Sequence, residues 1–189
     1  YEILSELPKE VHPSRMLSLD KTKSRDELKE WLGDHQGILS WKLDGLTIVL
    51  TYEDGKLLKA VTRGNGDVGE VITANAKTFV NLPHKIAYKG DLVLRGEAVI
   101  SYADFDKINS EIEDSAGKYK NPRNLCAGSV RQLNSEITAS RRVRFFAFTL
   151  VSAEGINFKK RSEQINWLKD QGFDTVKERL VNADNIIET

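Results

Sequence analysis

The sequence has one cysteine, Cys126, and three histidines among 189 residues. A lone cysteine excludes a disulfide framework and a multi-cysteine zinc site, and it points to a reducing compartment. His12, His35 and His84 are scattered without ligand spacing, so they read as surface or core residues and no metal site is expected. Net charge is missing too. The 28 Lys and Arg balance the 28 Asp and Glu, so global electrostatics argue neither for nor against a nucleic-acid partner. No apolar run is long enough to span a bilayer and no charged-then-apolar leader opens the chain, which predicts no membrane association. Internal repeats and low-complexity linkers are absent. What remains, 40% hydrophobic and 30% charged, suits a soluble globular protein of one good-sized domain or a domain and a half. The chain starts at Tyr1. It ends on a cap-like Asn or Asp followed by Ile186 and Ile187, read as a helix just beginning over 182–189. Both ends predict a fragment.

Local signals alternate between strand and helix. Ser24-Arg25-Asp26-Glu27 is a capping box, with Leu28, Trp31 and Leu32 at helical spacing and Gly33 as the stop. Leu46 to Tyr52 and Leu57 to Thr62 flank Glu53-Asp54-Gly55 and read as a hairpin. A tight loop over Gly64–Gly69 leads to an expected helix over Glu70–Phe79. Leu92–Ile100 and Arg144–Val151 read as strands. Ser101 caps a helix bearing Phe105, Ile108 and Ile112. Asn121-Pro122 opens another, and Arg161–Gln171 forms a third, stopped by Gly172. The mixture predicts an α+β fold of mainly antiparallel sheets with packed helices.

Four segments carry chemistry. Lys42-Leu43-Asp44-Gly45 places a lysine directly before a strand. A free lysine has a pKa of ~10.4, so a nucleophilic one needs partial burial or a nearby cation. In an extended stretch Lys42 and Asp44 point the same way, and Gly45 lets backbone approach a ligand. The competing reading is a surface lysine before a turn. In Leu94-Arg95-Gly96-Glu97, Arg95 and Glu97 share a strand face: a ribose- or metal-binding carboxylate beside a cation, or a solvated cross-strand ion pair. Gly64-Asn65-Gly66-Asp67-Val68-Gly69 matches G-x-G-x-x-G, but it follows a hairpin, so no dinucleotide-binding βαβ unit is expected. It reads as a glycine-rich loop entering a helix, whose N–H groups, together with Arg63, are candidates for phosphate or ribose contact. Residues 118–144 hold Lys118, Lys120, Arg123, Arg131, Arg141, Arg142 and Arg144 against Glu136, which suits a phosphate backbone or a solvated basic face. Arg123 and Arg131, two helical turns apart, fit one face. Phe146 and Phe148 alternate with Phe145; core packing is expected for all three, with base stacking as the alternative. Cys126 is expected to be packed.

Together these segments resemble the adenylation (nucleotidyltransferase) domain of bacterial NAD-dependent DNA ligases, over about residues 14–151. The matching stretches are Met16-Leu17-Ser18-Leu19-Asp20, Lys42-Leu43-Asp44-Gly45-Leu46 and Thr62-Arg63-Gly64-Asn65-Gly66, with Gly69-Glu70 and Thr73-Ala74-Asn75. Leu94-Arg95-Gly96-Glu97, Asn121-Pro122-Arg123-Asn124, Ala127 to Leu133 and Phe145-Phe146-Ala147-Phe148 follow in order. The resemblance implies a nucleotidyltransferase fold (an ATP-grasp-like ligase adenylation domain). It implies that Lys42 attacks the α-phosphate of NAD, expels nicotinamide mononucleotide and carries AMP as a phosphoramidate. AMP would pass to the 5′-phosphate of a nick in double-stranded DNA before the 3′-hydroxyl displaces it. By the same resemblance Glu97 would bind the ribose and Arg63 the nucleotide, with Asp44 and Gly45 beside them. Ser18 and Leu19 would line the adenine side, Phe148 would stack on adenine, Arg123 and Arg131 would grip DNA, and Mg2+ would neutralise charge. A bacterial, cytoplasmic monomer, nucleoid-associated during repair and replication, is implied too.

Departures from the family pattern are Ser40, where a glutamate is usual, and Asn65, where an aspartate is. The later lysine-bearing motifs and the N-terminal nicotinamide-recognition subdomain do not occur in the sequence. Residues 1–189 are therefore expected to be a single adenylation-domain fragment, poorly active or inactive alone. Two alternatives stand beside this reading: an ATP-dependent ligase or capping-type nucleotidyltransferase, and a catalytically silent DNA-binding module.

Overall fold

The computed structural model describes residues 6–113 and 117–188. Tyr1, at the chain start discussed above, and Thr189, the last residue of the expected terminal helix, lie outside the described residues. In chain order the elements are β1 (Lys9–Val11), α1 (Arg25–Leu32), β2 (Gly37–Ser40), β3 (Leu46–Glu53), β4 (Lys56–Thr62), β5 (Val68–Glu70) and α2 (Thr73–Ala76). They continue with β6 (Leu92–Val99), α3 (Tyr102–Ser110), α4 (Pro122–Val130), α5 (Ser135–Ser140), β7 (Arg144–Ala153), α6 (Arg161–Asp170) and β8 (Glu178–Val181). They fall into two compact units, one of residues 1–16 and 43–175 and the other of residues 17–42 and 176–189.

The first unit is built on a four-stranded antiparallel sheet in the order β4-β3-β6-β7. Asp54 and Gly55 sit at φ 46° and 70°, the left-handed pair that matches a two-residue hairpin to strand twist. Strand alternation sets the faces. Ile48, Leu50 and Tyr52 of β3 and Leu92, Leu94 and Ala98 of β6 are buried. Leu125, Cys126 and Val130 of α4 join them in one core, together with Phe145 and Ala147 of β7. The opposite face of β6 carries Arg95 and Glu97, as the alternation predicts.

The helix expected over Glu70–Phe79 shrinks to the four residues of α2. Val68–Glu70 instead pairs antiparallel with β1, with Glu10 opposite Gly69, and the N–H groups of Val71 and Ile72 go to the Pro8 and Ala60 carbonyls, so the first turn of that helix is held extended. The glycine-rich loop therefore enters a strand, not a helix. Two later caps form as read. Ser101 accepts from the Asp104 N–H at 3.1 Å and Asn121 from the Asn124 N–H at 2.8 Å, with Pro122 opening α4. Ile112 lies past the end of α3, and α6 runs to Asp170, with Gly172 at φ 96°.

In the second unit β2 and β8 pair antiparallel, and Leu32, Val181 and Ile186 form a small core flanked by Leu28 and Ile187. Ser24 caps α1 by accepting from the Glu27 N–H. The return half of the expected capping box is diverted: Thr22 Oγ1 donates to the Glu27 carboxylate and itself accepts from the Ser24 N–H. Trp31 shares the sequence spacing of Leu28 and Leu32 but is 79% exposed. The expected terminal helix is a run of turns through 188. Asn182 Oδ1 accepts from the Asp184 and Asn185 N–H groups without a helix following.

Candidate functional site

The polar face of the first unit's sheet opens into a cleft of about 640 Å³. Its lining includes Gly45, Thr47, Arg63, Glu70, Glu97, Arg123 and Arg131. Of the expected site residues, five meet there. Glu97 lies on β6 opposite Thr47 of β3. Its carboxylate accepts from the Gly45 N–H at 3.1 Å and from the Thr47 hydroxyl at 2.8 Å, so the two strands hold it in one orientation. A charged acceptor held by two donors is fixed before any ligand arrives.

Gly45 is required by a close approach, though of a different kind from the one expected. A Cβ at that position would overlap the Ala98 carbonyl oxygen, so the glycine lets β3 begin tight against β6. Arg63 follows β4. Its N–H donates to the Thr47 carbonyl at 3.0 Å and its guanidinium to the Met16 carbonyl at 3.2 Å. In the loop after it, three N–H groups already have partners within the loop. The Gly66 N–H donates to Arg63 O, and Asn65 Oδ1 accepts from the Asp67 and Val68 N–H groups at 3.0 and 2.9 Å. Those donors are spent on folding the loop.

Asp44 is exposed and pairs with Arg123 at 3.2 Å. Arg131 forms a two-pronged pair with Glu70, Nε to Oε2 at 2.5 Å and Nη2 to Oε1 at 2.9 Å. The hydrogen bond to Glu70 pushes the pKa of Arg131 up and holds its charge. Arg142 pairs with Asp104 at 3.1 Å. Three of the seven cations in the basic stretch are thus matched by acids from elsewhere in the chain, which reduces the local excess read from the sequence.

Arg95 does not simply sit beside Glu97. Its Nη2 donates to the Ser14 hydroxyl at 3.2 Å, while its Nε is buried without a hydrogen-bond partner. Phe145 is core, but Phe146 and Phe148 are only partly buried, so core packing does not hold for all three. Phe148 lies where the β6–β7 register shifts between Arg95 and Gly96, outside the cleft lining. Its carbonyl accepts from Arg161 at 2.7 Å. Lys42, Ser18 and Leu19 belong to the second unit. Lys42 and Ser18 are exposed, and Leu19 is 93% exposed. Cys126 is buried, its thiol directed at the Ala98 carbonyl at 3.2 Å, and burial pushes its pKa up to about 12. No group of three or more metal-ligating side chains occurs among the described residues.

A family model described as "NAD-dependent DNA ligase adenylation domain" matches residues 4–189. The chain belongs to that family. The match is to the NAD-dependent branch and disfavours the ATP-dependent alternative. Over its whole length the chain is 65% identical to a DNA ligase of Lachnoclostridium phytofermentans and 64% identical to one of Ruminiclostridium cellulolyticum. Over 94% of its length it is 40% identical to a DNA ligase of Helicobacter pylori strain 26695. The chain spans 29%, 29% and 28% of those ligases, respectively.

For an NAD-dependent ligase adenylation domain, two site features escaped the sequence reading. Thr47 holds Glu97, and its only signal was strand alternation two residues beyond Gly45. Glu70 stands in a stretch that matches the family, but its neighbours in sequence indicate no role, because its partner Arg131 is 61 residues away. No helix is long and apolar enough to cross a membrane among the described residues.

Proposed function

We propose that this chain is the AMP-accepting core of a DNA ligase that uses NAD. Lys42 Nζ, once deprotonated, attacks the α-phosphorus of NAD. A P–N bond forms, the P–O bond to nicotinamide mononucleotide breaks, and that mononucleotide leaves with the electron pair. The 5′-phosphate of nicked DNA then attacks the same phosphorus and releases Lys42. The DNA 3′-hydroxyl finally displaces AMP and seals the strand.

The observation that carries this reading is the fixed carboxylate of Glu97 in the cleft, held by the Gly45 N–H and the Thr47 hydroxyl. An acceptor so placed suits a ribose hydroxyl, and Arg63 beside it suits the nucleotide. Asp44 and Gly45 are proposed beside them, Gly45 through its N–H to the Glu97 carboxylate. Ser18, Leu19 and Phe148 are proposed on the adenine side. Arg123 and Arg131 are proposed as DNA phosphate contacts, supported by their shared place in the cleft lining. Without a cluster of three protein ligands among the described residues, Mg2+ is best proposed as arriving with the substrate phosphates. A single adenylation-domain fragment over 1–189, a monomer acting in the cytoplasm and at the nucleoid, completes the proposal.

The test is nick sealing by the full-length chain, followed on a denaturing gel with NAD and Mg2+. Wild type is expected to convert a labelled nick through AMP-DNA to sealed strand, and Lys42→Ala is expected to form neither. Sealing by Lys42→Ala would refute the role of the lysine.

A further inference from the structure

The segment Gly69-Glu70 to Thr73-Ala74-Asn75 matches the family pattern, yet the reaction proposed above gives it no work. In the structure two of its polar side chains, Glu70 and Asn75, converge on one residue, while Thr73 accepts from the Ala60 N–H. The Glu70 carboxylate takes the Nε and Nη2 edge of the Arg131 guanidinium. The Asn75 side chain, 2% exposed, donates through Nδ2 to the carbonyls of Val130 and Gln132, at 2.6 and 2.7 Å. Those two residues flank Arg131 in the chain, so one amide grips the backbone on both sides of the arginine while a carboxylate grips its head.

We propose that Glu70 and Asn75 are positioning residues for Arg131, presenting its guanidinium to a phosphate of the nicked DNA; the proposal rests on Arg131 being a DNA contact. A guanidinium is planar and offers donors along more than one edge. Glu70 occupies one edge, and the remaining Nη1 and Nη2 hydrogens lie on the edge that a second anion can take. Glu70 is itself held. Its N–H donates to the Thr62 hydroxyl at 3.0 Å, and β5 pairs with β1. Its side chain is 22% exposed against 54% for Arg131, so the carboxylate is the anchored partner and the arginine the presented one. α4 ends at Val130, and Arg131 as its C-cap sits at φ −97°, ψ 16°. Without Asn75 the two flanking carbonyls would lose this shared donor where the helix geometry stops.

Charge alone predicts the opposite result from positioning. Removing an acid beside a DNA contact strengthens attraction to phosphate. Removing a positioning residue weakens binding, because the arginine must then be ordered at the moment of contact. The experiment uses the full-length chain and a nicked duplex, with affinity measured across salt concentrations and AMP loading from NAD measured without DNA. Arg131→Ala is expected to weaken nick binding and lower the slope of log affinity against log salt by about one. Glu70→Ala is expected to weaken binding roughly five- to tenfold, and the double variant is expected to bind no more weakly than Arg131→Ala. Glu70→Gln, with the same charge change but the same shape, is expected to fall between wild type and Glu70→Ala. AMP loading without DNA serves as the folding control for each variant. Asn75→Ala is expected to weaken binding likewise, and if it fails to fold the Glu70 variants still decide. Unchanged or tighter binding by Glu70→Ala, with Arg131→Ala weakened, overturns the positioning role. Unchanged binding by Arg131→Ala overturns the DNA reading of that arginine instead.

Discussion

At the scale of single residues, the cleft owes its order to a carboxylate with two donors. Glu97→Ala leaves the Gly45 N–H and the Thr47 hydroxyl without their acceptor and removes the proposed ribose contact. AMP loading in a single turnover is expected to fall by about a hundredfold, with Glu97→Gln less impaired. An unaffected rate would remove Glu97 from the site. Cys126 makes a prediction about pH. Its folded pKa is raised, so the buried thiol keeps its proton where the unfolded chain loses one. Its contribution to stability is therefore full below the ordinary thiol range and is lost as pH rises toward about 12. Between pH 9 and 10 the loss is expected to be about 1 kcal/mol, and urea melts of Cys126→Ala are expected to lack that slope. Much of this scale was legible in the chain. The alternation of Leu94-Arg95-Gly96-Glu97 put Glu97 on the cleft face, but it did not foresee that Arg95, on the same face, lies outside the cleft lining. The partners were not legible, because Thr47 and Glu97 are 50 residues apart and meet only through strand pairing.

Among the elements, α4 links fold to site most directly. Its inner face, Leu125, Cys126 and Val130, seals the sheet, while Arg123 and Arg131 line the cleft from its two ends. Asn121 starts it by accepting from the Asn124 N–H at 2.8 Å. Asn121→Ala is expected to cost about 1 kcal/mol in chemical denaturation, and a change below the error of the melt would mean the cap is dispensable. Signals written in neighbouring residues came through: the Asn121-Pro122 start, the Asp54-Gly55 turn and the Gly172 stop. The β5–α2 segment was misread because its strand partner, Lys9–Val11, lies some 60 residues upstream and is only three residues long. Local propensity favoured a helix, and the distant ladder took the residues. The capping box at Ser24 lost its return bond for a nearer reason, since Thr22 supplies a hydroxyl two residues before the cap.

The whole molecule divides by chain segments that the sequence does not announce. The second unit joins residues 17–42 to residues 176–189 through the β2–β8 pairing, and no linker composition marks either crossing point. Its core of three buried apolar residues is small beside the core of the first unit. Amides of β2 and β8 are therefore expected to exchange with deuterium faster than those of β3 and β6 under native conditions. Equal protection in the two pairs would show that the small core is not the weaker one. Family membership was legible because its motifs are short and contiguous. The proposed chemistry rests on Lys42, and one measurement reaches it most directly. The intact mass of the full-length chain is recorded after incubation with Mg2+ and either NAD or ATP. The account predicts a gain of one AMP with NAD only, abolished in Lys42→Ala. No gain with either nucleotide, in a chain shown to be folded, would contradict the account and favour a catalytically silent DNA-binding module.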